Sequence, residues 1–141
     1  VALPDAEITA RNWALAQSSI ASIVGTSIAT RLPSSPTFPF LTVFRLGGTL
    51  NETGAEIDEP FLQWDAYAAS GENAPDYGTA YDLAIAVALA AQNFTGVVVN
   101  PGIDAHVYLF ELLDGPRRLE EPETGWGRYQ VDMNMVIRSV P

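Results

Sequence analysis

Residues 75–93 are apolar on nearly every side, and no other stretch narrows the possible fold as far. The segment reads as a helix with Asp76 as its N-cap. Leu83, Val87, Ala90 and Phe94 form one apolar face, and Tyr81, Ile85 and Leu89 form another. Ala80, Ala84, Ala86, Ala88 and Ala91 fill the remainder, with only Asp82 and Gln92 interrupting. A helix of this kind is buried on more than one side. In a chain of 141 residues, one side can pack on a sheet and the other must meet a long loop or another subunit. The second subunit is the favoured reading, with Ile85 and Leu89 as candidate contact residues.

The rest of the chain supplies that sheet. Pro4 and Asp5 start a first helix and Gly25 stops it. Trp13, Ala16, Ile20 and Ile23 recur along it at helical spacing and are expected to form its core face. A short strand is expected at 27–32. Residues 40–46 are almost wholly apolar, as in a strand buried on both faces. Residues 61–68 alternate, with Leu62, Trp64, Ala66 and Ala68 on one face and Phe61, Gln63, Asp65 and Tyr67 on the other. The polar connection between these two strands carries Glu52, Glu56, Asp58 and Glu59 and reads as a protruding hairpin tip.

Two further strands are expected in the C-terminal third. In 105–113, Val107 and Leu109 point one way and Tyr108, Phe110 and Leu112 the other. In 127–140, Tyr129, Val131, Met133, Met135 and Ile137 face a core, and Gln130, Asp132, Asn134 and Arg138 face water. Residues 114–126 read as a long polar loop with an exposed Trp126. The expected fold is a single α+β domain over 1–141. It has two layers, a mostly antiparallel or mixed sheet with two helices on one face.

Composition removes several functions. Seventeen acids oppose seven bases for a net charge of −10, and all the bases are arginine. Binding DNA or RNA tightly takes clustered cations, and anionic membranes attract the same kind of patch. Neither partner suits this chain. Cysteine is absent, which excludes thiol catalysis, zinc–thiolate sites and disulfides. Residues 1–8 lack a basic patch followed by an apolar stretch, so no signal peptide is expected. The longest apolar run, 83–91, is too short to span a bilayer. A cytoplasmic location follows by default, and the two glycosylation sequons at Asn51 and Asn93 read as chance matches.

Catalytic motifs are missing too. His106 is the one histidine and has no second histidine or cysteine to join it at a metal. No Gly-x-Ser-x-Gly occurs. Gly47-Gly48 lacks the glycines and lysine of a phosphate loop and reads as a turn. Asp58-Glu59 and Glu120-Glu121 are loop acids of the solvated kind, and 51–59 lacks the spacing of a calcium loop. A small hydrolase or sugar-binding domain would have to use Trp64, Trp126 and these acids, yet no spacing singles out an acid and a nucleophile. The chain is read as a non-enzyme without cofactor or metal. Arginine and tryptophan are the residues most enriched in binding hot spots. Arg117, Arg118, Trp126 and Arg128 are therefore candidate interface residues, against the plainer reading that Arg117 and Arg118 pair with Glu120 and Glu121 in solvent.

One family shows this order of motifs. Pro39-Phe40-Leu41-Thr42-Val43-Phe44-Arg45-Leu46-Gly47-Gly48, then Phe61-Leu62-Gln63-Trp64-Asp65-Ala66-Tyr67, resembles the tail terminator (tail completion) proteins of long-tailed phages. Ala80-Tyr81-Asp82-Leu83-Ala84 matches the start of their alanine-rich helix, and Arg128-Tyr129 and Arg138 stand at the two ends of their last strand. The likeness runs over about residues 5–140 and rests on order and spacing. It implies a structural virion protein without an active site, assembled in the host cytoplasm. Six copies would form a ring at the head-proximal end of the tail tube, stop tube polymerisation and offer a platform to the neck proteins that join the head. DNA would pass through the lumen without being gripped. A helix apolar on several sides suits subunit packing in such a ring, and net negative charge suits its channel. A neck or head-closure protein, or a tail tube protein, is the alternative within phage assembly.

Overall fold

The computed structural model describes residues 3–51, 56–71, 74–120 and 124–140. In chain order the elements are α1 (Ala6–Leu15), α2 (Ser18–Val24), β1 (Ile28–Ala29), β2 (Phe40–Asn51), β3 (Ile57–Gly71), β4 (Ala74–Pro75), α3 (Tyr77–Gln92), β5 (Gly96–Val98), β6 (Ala105–Leu119) and β7 (Gly127–Ser139). The sheet runs β1-β2-β3-β7-β6-β5, with β4 paired to β3. Its β1–β2 pair is parallel and its other pairs are antiparallel. The result is a mixed, half-barrel sheet with three helices, a mostly β version of the α+β class.

The helix count differs from expectation because the first helix is two. Asp5 caps α1 by accepting the Ile8 N–H at 3.0 Å, and Glu7 lies in the first turn, where a carboxylate suits the helix dipole. The chain then becomes extended at Gln17 and restarts at Ser18, and Gly25 ends α2 with positive φ. A single straight helix would put Trp13, Ala16, Ile20 and Ile23 on one face. The break instead leaves Ala16 in solvent and Ile23 half-buried, and it buries Ile20 and Val24.

Trp13 is the centre of the core. Its ring lies 4.5 Å from Phe110, 5.8 Å from Trp64 and 5.9 Å from Phe94, centroid to centroid. One side chain therefore joins α1, β3, β6 and the end of α3. Around it pack Leu62, Leu83, Val87, Val131, Met133 and Met135. The helices cover only this face of the sheet: α3 lies on β3, β6 and β7, and α1 on β2.

The start of α3 is fixed as the sequence suggests. Asp76 accepts the Thr79 N–H at 3.1 Å and the Thr79 hydroxyl at 2.7 Å. β7 begins directly beneath, at Gly127, where a Cβ would stand 2.8 Å from the Asp76 carbonyl carbon. Glycine alone allows that approach.

Strand bounds and faces depart from expectation in several places, and β2 runs through Gly47-Gly48, which were expected to form a turn. The strand expected at 27–32 is only Ile28–Ala29. β2 is buried on both faces only through Val43, and from Leu46 onward it is exposed. β6 continues through 114–119, which was expected to be loop. A bulge between Val107 and Leu109 reverses the alternation of β6, so Val107 and Phe110 are buried while Tyr108 and Leu109 are exposed. The acidic tip with Glu52, and Glu121 and Glu123, lie outside the described residues.

Two outcomes follow. Trp13→Ala costs about 3–5 kcal/mol in urea unfolding, because the cavity opens among four elements at once. Asp76→Ala costs about 1 kcal/mol at neutral pH. The Thr79 hydrogen bonds hold the Asp76 pKa below its ordinary value. A depressed carboxyl pKa contributes stability above the unfolded-state value, and that contribution is lost as pH falls through the folded-state value. The gap between Asp76→Ala and the parent therefore narrows below about pH 3.9, which unfolding curves from pH 7 to 2.5 measure.

Candidate functional site

Alternation along β3 and β7 puts one set of side chains on the sheet face away from the helices. On that face the ladder aligns Asp65 with Gln130 and Tyr67 with Arg128. Across β7 and β6 it aligns Gln130 with Arg117 and Asp132 with Asp114. A polar set spanning three strands results. Asp65, 1% exposed, accepts hydrogen bonds from Gln63 Nε2 (3.0 Å), Arg128 Nε (2.9 Å) and Gln130 Nε2 (3.1 Å). Arg117 donates to Gln130 and Asp114, and to Asp132 Oδ2 at 3.3 Å. Asp132 Oδ1 is buried and has no hydrogen-bond partner among the described residues.

Gln130 and Asp132 are thus buried and not in water as expected. Their face is closed by the ion pairs themselves and by an aromatic group at one end. Trp126 lies edge-on to Phe38 at 5.0 Å and to Tyr67 at 5.8 Å. The Arg128 guanidinium stands over the Tyr67 ring at 5.6 Å. Trp126 is half-buried, not the exposed residue expected of a loop.

The six candidate interface residues therefore divide. Arg117, Arg128 and Trp126 gather on the helix-free face and are held by the chain's own groups. Arg118 points the other way, next in β6, with its guanidinium 3.6 Å over the Tyr77 ring and 3.3 Å from Glu120. Contact with Tyr77, chiefly a side-chain hydrogen bond, raises its pKa above the ordinary arginine value. The plainer reading holds for Arg118, which pairs with Glu120, but Arg117 pairs with Asp114 and Asp132 instead. Ile85 is half-buried, while Leu89 is 60% and Tyr81 44% exposed on the outer side of α3. Tyr81 rests edge-on against Tyr129 at 5.4 Å.

A second ion pair, its Asp58 buried and its Arg45 half-buried, joins β2 to β3 beside the start of α1. Arg45 makes a two-point contact with Asp58 at 2.7 and 2.8 Å, and the Glu7 carboxylate accepts the Arg45 N–H at 2.9 Å. Asp58 is consequently a buried strand residue and not a solvated loop acid. His106 is half-buried and stacks on Tyr108 at 4.4 Å. Among the described residues, no group of three or more histidine, aspartate or glutamate side chains is placed to hold a metal ion.

This fold is found in a virus-like particle. A chain of the virion of a native gene transfer agent particle superposes with a TM-score of 0.66. The match covers 92% of this chain and 91% of that chain at 13% sequence identity. At that identity the likeness is one of fold. The sequence matches no family model and no curated protein.

Sequence reasoning missed Asp65, Gln63, Gln130, Asp132 and Asp114 as a connected set. A usable signal was present in part. Gln63, Asp65, Tyr67 and Arg128 all lie in the motifs of the phage resemblance, and they are the residues that the ladder brings into contact. Each carboxylate here faces donors that hold it in place, which suits cohesion between strands more than proton transfer to a substrate.

Removing Asp65 leaves Arg128 and Gln130 without their shared acceptor. Asp65→Ala is expected to cost about 3 kcal/mol. Arg118→Glu, at the surface, is expected to destabilise far less than Asp65→Ala, although it gives up the Tyr77 and Glu120 contacts. Chemical denaturation of the two variants side by side gives both numbers. Reversal of Arg117, which is bound within the polar set, belongs with the destabilising changes and not with the silent ones.

Proposed function

We propose that the chain is a structural subunit of a phage-like virion, and that its place is the head-proximal end of the tail. In this reading it is a tail terminator and not an enzyme. The whole of 1–141 acts as one domain, and six copies form a ring that caps the tail tube, stops its polymerisation and receives the neck proteins. DNA passes through the lumen without specific binding. The observation that carries the reading is the fold shared with the gene transfer agent virion chain across almost the whole of both chains. The motif order around Phe40, Asp65 and Arg128 narrows it to the terminator.

Two features support self-association. α3 presents Tyr81 and Leu89 outward although its inner side, through Leu83, Ala84 and Val87, already fills the core. A neighbouring subunit on that outer side would complete the two-sided burial expected of a helix apolar nearly all round. The net charge of −10 repels a DNA duplex moving past the subunits.

Light scattering coupled to size exclusion, and negative-stain images with and without tail tubes, test the reading. The expected outcome is hexameric rings, or monomers that become rings on tube ends. Leu89→Asp is expected to stay folded, at a cost of about 1 kcal/mol for an aspartate in the last turn of a helix, and to lose ring formation. A strict monomer that never decorates tube ends overturns the reading, and growth of long cylinders would make the protein a tube subunit instead.

A further inference from the structure

The two borders of the sheet are each half covered. At one border β1 pairs only with Leu41 and Thr42, so among the described residues no strand covers β2 from Val43 onward. The Glu7 carboxylate takes the Arg45 N–H and Arg45 Nε donates to the Gly47 carbonyl, which leaves the run around and after Gly47 as the part without a backbone partner. At the other border, β5 pairs only with 105–107, so among the described residues β6 has no strand partner on that side from Tyr108 onward. An open strand presents unpaired N–H and C=O groups, and natural sheets protect such borders or use them. Here both open runs carry exposed leucines: Leu46 and Leu50 on β2, Leu109 and Leu112 on β6.

The open runs lie at the same height in the sheet. Gly47 is opposite Phe61, Phe61 opposite Asn134, and Asn134 opposite Glu111. One cross-strand row therefore leads from the open part of β2 to the open part of β6. The two strands also run in opposite directions, because three antiparallel pairings separate them. A second copy, rotated about an axis roughly along the strands and hardly shifted along it, brings its β6 antiparallel to β2 of the first.

We propose that neighbouring copies join edge to edge, the open run of β2 in one subunit pairing with the open run of β6 in the next. The inference rests on the ring reading above and adds the strand edges, as a second surface, to the outer side of α3. Backbone hydrogen bonds supply the contact, and the leucines on both runs are covered by it. A groove of about 370 Å³ lines the β2 side, between Leu46, Thr49, Glu59, Phe61 and Asn134, and gives the neighbour's β6 side chains a seat.

Irregularities bound the contact. The regular part of open β6 is 109–112, between bulges at 107/109 and 112/114, and β2 has its own bulge between Arg45 and Gly47. Pro116 then removes an N–H farther up β6. Bulges and proline limit the pairing to a short run and oppose slippage. The contact is heterologous, one border against the other, so it closes into a ring when the rotation divides a full turn.

Cross-linking tests this directly, since the chain has no native cysteine. Gly47 has ordinary φ and open space where a Cβ would stand, and Glu111 is exposed, so both positions accept cysteine. The Gly47→Cys/Glu111→Cys double variant, oxidised after assembly, is expected to give a covalent ladder ending at the ring. An equimolar mixture of the two single variants is expected to give no covalent species beyond dimers, and either single variant alone none. Leu109→Lys/Leu112→Lys is expected to retain the circular dichroism of the parent and to remain monomeric. Rings that form without cross-links, or cross-links in Gly47→Cys alone, overturn the edge pairing and leave the ring reading standing. Open covalent fibres support the edge pairing and overturn the ring. A strict monomer in every variant overturns both.

Discussion

The central constraint is the Asp65 carboxylate, buried in the middle strand of a sheet whose helices lie on the other side. A buried charge without partners costs several kcal/mol, so the face that carries it has to supply donors. It does so through register: Gln130 lies directly opposite, Arg128 two residues before it on the same side of β7, and Gln63 two residues before Asp65 on β3. A one-residue slip of β7 would turn Arg128 and Gln130 to the core face and Tyr129 and Val131 out of it. The ion set and the apolar core thus enforce the same pairing from opposite sides of one sheet. Through Gln130 the effect extends to Arg117 and so to β6.

Trp13 plays the matching part on the core side. It contacts aromatic side chains from β3, β6 and the end of α3, and it does so at a cost, since its indole N–H and that of Trp64 are buried without acceptors among the described residues. An unpaired N–H costs about 1–3 kcal/mol. Large apolar rings closely packed offset this, each burying on the order of 150–250 Å². The helix break at Gln17 belongs to the same arrangement, because it lets Trp13 and Ile20 both reach the core from helices of different direction.

What could be read from residues alone follows from this. Caps and periodic apolar faces are local, and Asp5, Asp76 and the Leu83–Val87 side of α3 were legible. The alternation of Leu62, Trp64 and Ala66 was legible for the same reason. Bulges are not local: the one after Val107 depends on how β6 meets β7, and it turns Leu109 outward against the simple alternation. The burial of Gln130 and Asp132 was equally hidden. A polar residue on an alternating strand reads as solvent-facing unless the cross-strand partner is known, and here the partners are Asp65 and Arg117 from far along the chain. The same long-range pairing misplaced Arg117 and Trp126, whose residue types suggest an outside partner until Asp132 and Tyr67 are seen beside them. Leu89 is different. Its exposure was implied by a helix with more apolar surface than its own sheet can cover.

The arginines complete the electrostatic picture. Arg45 is bound by Asp58, Arg128 by Asp65, Arg117 by Asp114 and Asp132, Arg118 by Glu120, and Arg11 donates to the Ile28 carbonyl. With no lysine in the chain, these internal bonds take up most of its positive charge. The acids in excess are left to the surface, which is therefore negative as a consequence of how the sheet is held together. Surfaces of that kind repel one another, and screening at physiological salt confines the repulsion to about 8 Å. Copies can still meet where the contact is made of backbone groups and leucines. An interface of strand edges is compatible with this charge, and an interface of ion pairs between subunits is not, because few cations remain free to make them.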